Sequence, residues 1–176
     1  MKRTLAALAL CAVSACVPPP PKPIPAISYR DAAQPIGVTS RFNEERFAGL
    51  WYVRAGFDPD LGRMAIKLTG TPAGLQMRLG AFVCDPAGDC GDFAEDLPTE
   101  RLGKGRYRIV MPDGAERQFW VLWVDEGFRT AVVGNPEGTF GWILDRATTG
   151  GSDRIRAARE ILDFNGYDLR NLKVME

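Results

Sequence analysis

The sequence predicts an all-β fold, an eight-stranded antiparallel up-and-down β-barrel with one C-terminal α-helix packed outside. Apolar and polar residues alternate with a period of two through most of the chain between Phe47 and Arg146. Short segments rich in Gly, Pro, Asp and Asn separate the alternating runs, as in hairpin turns, and one stretch with helical spacing follows them. Consecutive antiparallel strands remove their exposed edges by closing into a barrel.

The strands follow from the alternation in chain order. In the first run, one face carries Phe47, Gly49, Trp51, Val53, Ala55 and Phe57. We expect the eight strands at residues 47–57, 64–69, 75–83, 93–101, 106–111, 117–124, 128–134 and 139–146. Eight strands give an interior that is able to hold one small ligand.

The helix is predicted after the last strand. Ser152 is the expected N-cap, and an apolar face recurs at helical spacing in Ile155, Ala158, Ile161 and Leu162. Gly166 is the expected C-cap, and residues 169–174 are expected to return as a short strand.

Composition limits the classes of function. The 176 residues suit one domain, and 22 basic and 22 acidic residues, scattered along the chain, argue against a nucleic-acid partner. Histidine is absent, which removes the commonest general base and the usual metal and haem ligand. Carboxylates at Asp58, Asp60, Glu95 and Asp96 lie near turns, where such groups are usually solvated. We therefore expect no enzyme activity, no cofactor and no metal site.

The N-terminus has the pattern of an export signal. A charged start precedes an apolar run at residues 5–13, which is too short to span a membrane. The sequence Val-Ser-Ala-Cys ending at Cys16 resembles the bacterial lipobox, so residues 1–15 are expected to be a lipoprotein signal peptide and Cys16 the lipidated (palmitate-type) N-terminus. Cleavage after Ala15 without lipidation is the alternative. Val17 stands where Asp would resemble an inner-membrane retention signal, which favours the outer membrane.

Proline dominates the residues that follow the cysteine. Residues 16–41 are predicted to be a linker, because prolines at 18–21, 23 and 25 favour an extended polyproline chain. A proline-rich ligand for another protein is the competing interpretation. The barrel domain is then expected at residues 42–176.

Two further thiols, Cys84 and Cys90, flank the sequence Asp-Pro-Ala-Gly-Asp. In an oxidising compartment this spacing favours a disulfide across a hairpin, because Pro and Gly supply the turn. Two unpaired buried thiols are the alternative.

Three motifs resemble the lipocalin family, and more narrowly its bacterial outer-membrane and apolipoprotein D group. Residues 49–52, Gly-Leu-Trp-Tyr, match the family's Gly-X-Trp at the first strand. Residues 124–131 look like its second block, an Asp-containing turn, with Phe128 where Tyr is common, and residues 142–146 are similar to its third block. The resemblance covers about residues 42–176.

This resemblance implies roles for particular residues. Gly49, Trp51 and Arg146 are assigned structural roles, since the family's Trp plugs the barrel base and its Arg stacks on the indole. If Trp51 points inward, alternation extends the inner wall to these candidate ligand-binding residues: Val53, Ala55, Phe57, Ile66, Leu68, Met77, Leu79, Tyr107, Ile109, Trp120 and Trp142.

The function that follows is binding of a small hydrophobic ligand, of the fatty acid or lysophospholipid class, for storage or transport in the cell envelope. The protein is then expected at the bacterial outer membrane, anchored through Cys16, with its barrel facing the periplasm. A barrel filled by its own side chains, in a structural or protein-interaction lipoprotein, is the alternative.

Overall fold

The computed structural model describes residues 27–57, 64–84, 90–111 and 114–175, and for residues 64, 81–84 and 90–95 the backbone alone. The predicted signal peptide, Cys16 and the linker up to residue 26 lie outside the described residues. One antiparallel sheet contains the following strands: β1 (Gly49–Gly56), β2 (Met64–Thr71), β3 (Gly74–Cys84), β4 (Cys90–Leu97), β5 (Thr99–Gly103), β6 (Arg106–Val110), β7 (Glu116–Val124), β8 (Thr130–Gly134), β9 (Gly141–Asp145) and β10 (Lys173–Val174).

Two helices accompany the sheet. The short α1 (Glu44–Phe47) precedes β1, and α2 (Ser152–Phe164) follows β9. A 3-10 turn at Leu169–Asn171 and the short β10 occupy the segment predicted as a final strand. Within the part of the chain that the structure describes, no helix is both long and apolar enough to cross a membrane.

The sheet confirms the all-β prediction but does not close through hydrogen bonds. Its order is β4-β3-β2-β1-β9-β8-β7-β6-β5, and the described strands at its two ends do not pair with each other. The fourth predicted strand, 93–101, is split at Pro98, which has no amide hydrogen to give to a ladder. Its first half pairs with β3 and its second with β6, so the covalent chain joins the two ends of the sheet.

The two ends of the sheet differ, and each is named after a tryptophan. The Trp51 end holds Gly49, where β1 begins, and Asp145, where β9 finishes. The Trp142 end holds Gly56, where β1 finishes, and Gly141, where β9 begins. The register fixes this assignment, since Tyr52 pairs with Asp145 and Gly56 with Trp142.

Buried apolar side chains form two clusters, one on each face of the sheet. The inner cluster lies on the enclosed face and contains Phe42, Phe47, Trp51, Val53, Ile66, Leu68, Leu75, Met77, Leu79, Leu97, Tyr107, Ile109, Phe119, Val121, Val124, Phe128, Ala131, Val133, Phe140, Trp142 and Leu144. The outer cluster lies between the sheet and α2 and contains Ala55, Phe57, Leu122, Val132, Ile143, Ala158, Leu162, Tyr167 and Leu172.

Helix α2 packs outside the sheet, as predicted. Ala158 and Leu162 are fully buried in the outer cluster, while Ile155 and Ile161 pack against it. The N-cap prediction is wrong: Gly151, in a left-handed conformation, is the N-cap, and Ser152 is the first helical residue, without a side-chain capping bond. Arg154 instead fixes this end of the helix, through Asp145 Oδ2 at 3.3 Å.

Residues 27–41, the described part of the predicted linker, lie against the sheet. Tyr29 N donates to Gly138 O at 2.8 Å in the turn between β8 and β9, at the Trp142 end. Gly138 has φ +67°, and a Cβ there would lie 2.5 Å from Arg30 Cβ, so this contact requires glycine. Thr39 N donates to Val121 O at 3.0 Å farther along.

Candidate functional site

A stacked pair covers the Trp51 end of the inner cluster. The guanidinium carbon of Arg146 lies 3.7 Å from the centre of the Trp51 ring, in the cation–π geometry that the family resemblance implied. Trp51 is fully buried, and its Nε1 donates to Phe47 O at 2.8 Å. The ring of Phe47, brought there by α1, packs 4.9 Å from the indole. Trp51 therefore closes this end and has no polar atom left for a ligand.

Arg146 is held by backbone carbonyl groups. Its guanidinium donates to Leu50 O at 2.7 Å and Ala48 O at 2.8 Å. Burial lowers the pKa of Arg146, and these carbonyl oxygens replace the water that burial removes. Gly49 lies between them with φ +107°, and a Cβ there would stand 3.0 Å from Arg146 Nη1. Glycine is thus required beside the Trp and Arg pair.

The Asp-containing turn between β7 and β8 is built around Asp125. Asp125 Oδ1 accepts from Thr130 N at 2.7 Å and from Arg129 N at 2.5 Å. Burial raises the pKa of Asp125, but these donors outweigh it and leave the pKa below its usual value. Phe128 in the same turn has φ 55° and lies under the guanidinium of Arg46 at 4.0 Å. The turn therefore belongs to the closure of the Trp51 end.

Most of the predicted lining residues lie on the inner face. The structure brings together in the inner cluster Val53, Ile66, Leu68, Met77, Leu79, Tyr107, Ile109 and Trp142. All are at most 9% exposed, with Leu79 the most exposed of them. Their position is as predicted, and their contact with a ligand stays a prediction.

Two residues of β1 were placed on the wrong face by strict alternation. Val53 pairs with Leu144 and Ala55 with Ile143, so Arg54 is an extra residue opposite β9. A β-bulge of this kind shifts the alternation by one residue. Ala55 and Phe57 therefore point into the outer cluster, where Phe57 stacks on Tyr167 at 5.3 Å.

Trp120 is also on the outer side. It packs against the outer cluster, half-buried, while its neighbours Phe119 and Val121 belong to the inner cluster. Its Nε1 donates to Gln118 Oε1 at 2.9 Å. Strand β7 is apolar on both faces because α2 covers the outer one, so hydrophobicity alone does not separate the two faces.

Several inner residues were not predicted. Phe140 and Leu144 follow from stepping back by twos from Arg146 along β9, so the alternation that placed Trp142 also contained them. The prediction of Phe119 as an inner residue would have required knowledge of which face of β7 packs against α2. Phe42 lies before β1 and has no periodic pattern to mark it.

Besides Trp51 Nε1, the described residues of the inner cluster carry two polar side-chain groups. The Tyr107 hydroxyl donates to Glu44 Oε1 at 2.5 Å, at the Trp51 end. Burial, together with the Glu44 carboxylate, raises the pKa of Tyr107 well above its usual value. The second group is Trp142 Nε1, which is buried and has no hydrogen-bond partner.

The Trp142 end is bordered by aromatic rings and methionines. Phe140 lies 4.7 Å from Trp142 and 6.3 Å from Phe119, between ring centres. Met111, after β6, and Met175, after β10, pack against the inner cluster while remaining half-buried. Outside it, a cleft of about 470 Å³ on the rim is lined by polar residues, including Arg108, Glu116 and Asn135.

The structure gives little information on the other predicted sites. Among the described residues, no group of His, Cys, Asp or Glu is placed to hold a metal ion. Of the four carboxylates considered above, Asp96 is exposed and pairs with Arg78 at 2.8 Å. Cys84 and Cys90 are Cα partners across β3 and β4, but their side chains lie outside the description, so the disulfide stays a prediction.

Comparisons with known proteins bear on the fold and on part of the sequence. The family model of the lipocalin-like domain matches residues 104–176. Apocrustacyanin C2 is similar in structure with a TM-score of 0.55 at 12% identity, over 76% of this chain and 78% of that one. Apocrustacyanin C1 gives a TM-score of 0.56 at 12% identity over the same shares. No curated protein matches the chain. The match over residues 104–176 confirms the resemblance to the lipocalin family in that part of the chain, and the two neighbours agree with the fold of the sheet. The narrower resemblance to the bacterial outer-membrane and apolipoprotein D group stays a prediction.

Proposed function

We propose that this protein binds a small apolar ligand within the inner cluster. The main support is the difference between the two ends of the cluster. At the Trp51 end Arg146 and α1 cover the cluster, whereas at the Trp142 end the half-buried Met111 and Met175 border it. Methionine side chains are flexible and adapt to different partners, which suits an entrance. Burial of apolar ligand surface would contribute roughly 25 cal/mol per Å².

The wall favours binding over catalysis. Among the buried apolar and aromatic residues of the inner cluster, Tyr107 is the ionisable one, and its hydroxyl is already bonded to Glu44. General acid–base chemistry needs a group with a pKa near the working pH within reach of the substrate. We assign the ligand to the fatty acid or lysophospholipid class, since acyl chains suit a wall of aliphatic, aromatic and methionine side chains.

We further propose that Cys16 carries a lipid that anchors the protein to the bacterial outer membrane, with the barrel in the periplasm. Support comes from the path of the chain, because Tyr29 is bound to the β8–β9 turn at the Trp142 end. Residues 16–26 in extended geometry, at about 3.1 Å per residue, would span about 3 nm. The anchor would thus hold the proposed entrance close to the lipid surface.

Ligand binding is tested with the protein unfolded in denaturant, freed of lipid and refolded, and titrated with a fluorescent acyl probe. We expect saturable binding of one probe per molecule, displaced by a lysophospholipid. Met111→Trp should weaken binding by narrowing the entrance, whereas Phe164→Trp, at an 81% exposed position on α2, should not. Absence of saturable binding would favour the filled barrel, for which the ring contacts of Phe47 with Phe42 and Trp51 are the supporting observation.

The anchor is tested by intact mass spectrometry of the mature protein taken from its own membrane. A chain beginning at Cys16 with added acyl mass is expected, together with the loss of two hydrogens for a bridge between Cys84 and Cys90. A mature chain without acyl mass, or a Cys16→Ser variant that stays in the membrane fraction, would contradict the anchor.

A further inference from the structure

The indole N–H of Trp142 is a buried donor without an acceptor. Trp142 is 4% exposed in the inner cluster, and its Nε1 has no hydrogen-bond partner. Buried donors in native proteins are bonded in the great majority of cases, and each exception needs an explanation. Two other indoles follow the rule, since Trp51 donates to Phe47 O and Trp120 to Gln118 Oε1.

The surroundings of this donor are apolar. The ring of Phe140, 2% exposed, lies 4.7 Å from Trp142, and Val133 is its cross-strand partner on β8. The charged groups that the structure places against the described cluster, Arg146 on Trp51 and Glu44 on Tyr107, lie at the Trp51 end. Two other polar side-chain groups of the described cluster are already bonded at the Trp51 end, the Tyr107 hydroxyl to Glu44 and Trp51 Nε1 to Phe47 O. Among the described residues none supplies this acceptor, and a molecule that enters the cluster would satisfy the donor.

We propose that Trp142 Nε1 donates a hydrogen bond to a neutral carbonyl oxygen of the bound ligand, the ester carbonyl of a monoacyl lipid. The inference rests on the proposed function and narrows it. An ionised carboxylate buried at this position would lack a cation, and unpaired buried charge is strongly unfavourable. An ester carbonyl carries an acceptor without charge, so it matches one neutral donor in an apolar wall.

The position of Trp142 in β9 sets the orientation of the ligand. It directly follows Gly141, where β9 begins at the Trp142 end, while Leu144 continues the inner face towards Trp51. The acyl chain then extends from Trp142 towards the Trp51 end. The polar headgroup then lies at the Trp142 end, near the half-buried Met111 and Met175.

The test compares a lysophosphatidylcholine that is monomeric in solution with its ether-linked analogue, which has the same chain and headgroup but no carbonyl. Dissociation constants are measured by isothermal titration calorimetry for the wild type, Trp142→Phe and Trp120→Phe. We expect the wild type and Trp120→Phe to prefer the ester by about two- to tenfold, as for one net hydrogen bond. In Trp142→Phe the ratio should fall to about one, by the loss of that same bond.

The possible outcomes separate the two proposals. If Trp142→Phe shows the same ratio of ester to ether dissociation constants as the wild type, the indole N–H does not bond to the carbonyl. This inference is then wrong, while the binding function stands. If the wild type binds neither lipid, the proposed function fails and this inference with it. If Trp142→Phe does not fold, the wild type is labelled with ¹⁵N-tryptophan, its four indole signals being assigned through Trp→Phe variants at the other three positions. A downfield shift of the Trp142 signal with the ester but not the ether supports the bond, and equal shifts with both overturn it.

Discussion

Two tryptophans of the inner cluster mark opposite ends of the sheet and differ in how their polar atoms are satisfied. At one end Trp51 donates to Phe47 O and lies under Arg146, which is itself held by backbone carbonyls. At the other end Trp142 is equally apolar in its packing, but its indole N–H is unbonded. An end whose polar atoms are all hydrogen-bonded acts as a structural plug. An apolar end with one unbonded donor is suited to receive another molecule.

The largest effect is expected from removing the plug. Trp51→Ala should lower the free energy of unfolding by about 3–5 kcal/mol, because it removes a fully buried indole and exposes the underside of Arg146. Urea denaturation measures this loss, and the acyl-probe titration on the remaining folded protein should give a near wild-type affinity. A variant that keeps its stability but loses the probe would reverse the roles of the two ends.

The Trp142 end is fixed from outside by Tyr167, whose hydroxyl accepts from Asn135 N at 3.0 Å and donates to Phe140 O at 2.9 Å. Burial raises the pKa of Tyr167 to about 12 from 10.0. Because the folded pKa is the higher one, this stability is complete below pH 10 and is lost as the pH rises towards 12, by about 2–3 kcal/mol. Unfolding measured across this range should show the decline, and Tyr167→Phe should make it shallower, the remainder coming from Tyr107, whose pKa burial also raises. An unchanged slope in the variant would mean that other groups cause the decline.

Gly49→Ala tests the backbone beside the plug. The substitution places a Cβ at φ +107° and 3.0 Å from Arg146 Nη1, so we expect a loss of about 1–3 kcal/mol in unfolding free energy. Gly70→Ala is the matched control in β2, since a Cβ there meets nothing within 4 Å and φ is not in the left-handed region. Equal melting temperatures for the two variants would show that the Trp51 end tolerates more change than the contacts indicate.

The smallest effect is expected at the other tryptophan. Trp142→Phe removes a donor that has no acceptor, so its cost to the unliganded protein is limited to the lost packing of the indole, about 1–2 kcal/mol. Trp51→Phe breaks a bond to Phe47 O and should cost more. Chemical denaturation of both variants without ligand gives the ranking, which is contradicted if Trp142→Phe is the less stable of the two.

The sequence predicts the strands and the contact of Trp51 with Arg146 better than it predicts which side chains line the inner face. Alternation and turn residues are local properties, so the predicted strands correspond to β1–β9 and the pairing of Trp51 with Arg146 is correct. Alternation counts residues, however, and an extra residue at Arg54 reverses the face of everything after it in β1. Ala55 and Phe57 were misplaced for that reason, because a bulge depends on the partner strand β9 rather than on the residues of β1.

The predictions of where the helix begins and where the fourth strand ends were wrong for a similar reason. Ser152 has the side chain of an N-cap, yet Gly151 takes that position because Arg154 fixes the first turn of α2 to Asp145. Pro98 splits the fourth strand at the place where the chain changes partner from β3 to β6. The unbonded state of Trp142 Nε1 has no sequence pattern at all, since it results from which side chains surround the indole in the folded protein.

We propose above that a monoacyl lipid binds inside the sheet with its ester carbonyl at Trp142. The most direct test is a crystal structure with a monoacyl phospholipid that carries bromine at the end of its acyl chain. We expect an anomalous bromine peak inside the sheet, on the Trp51 side of Trp142, and an ester carbonyl oxygen within about 3 Å of Trp142 Nε1. A bromine peak confined to the outer surface, with side chains alone filling the inner cluster, would contradict it.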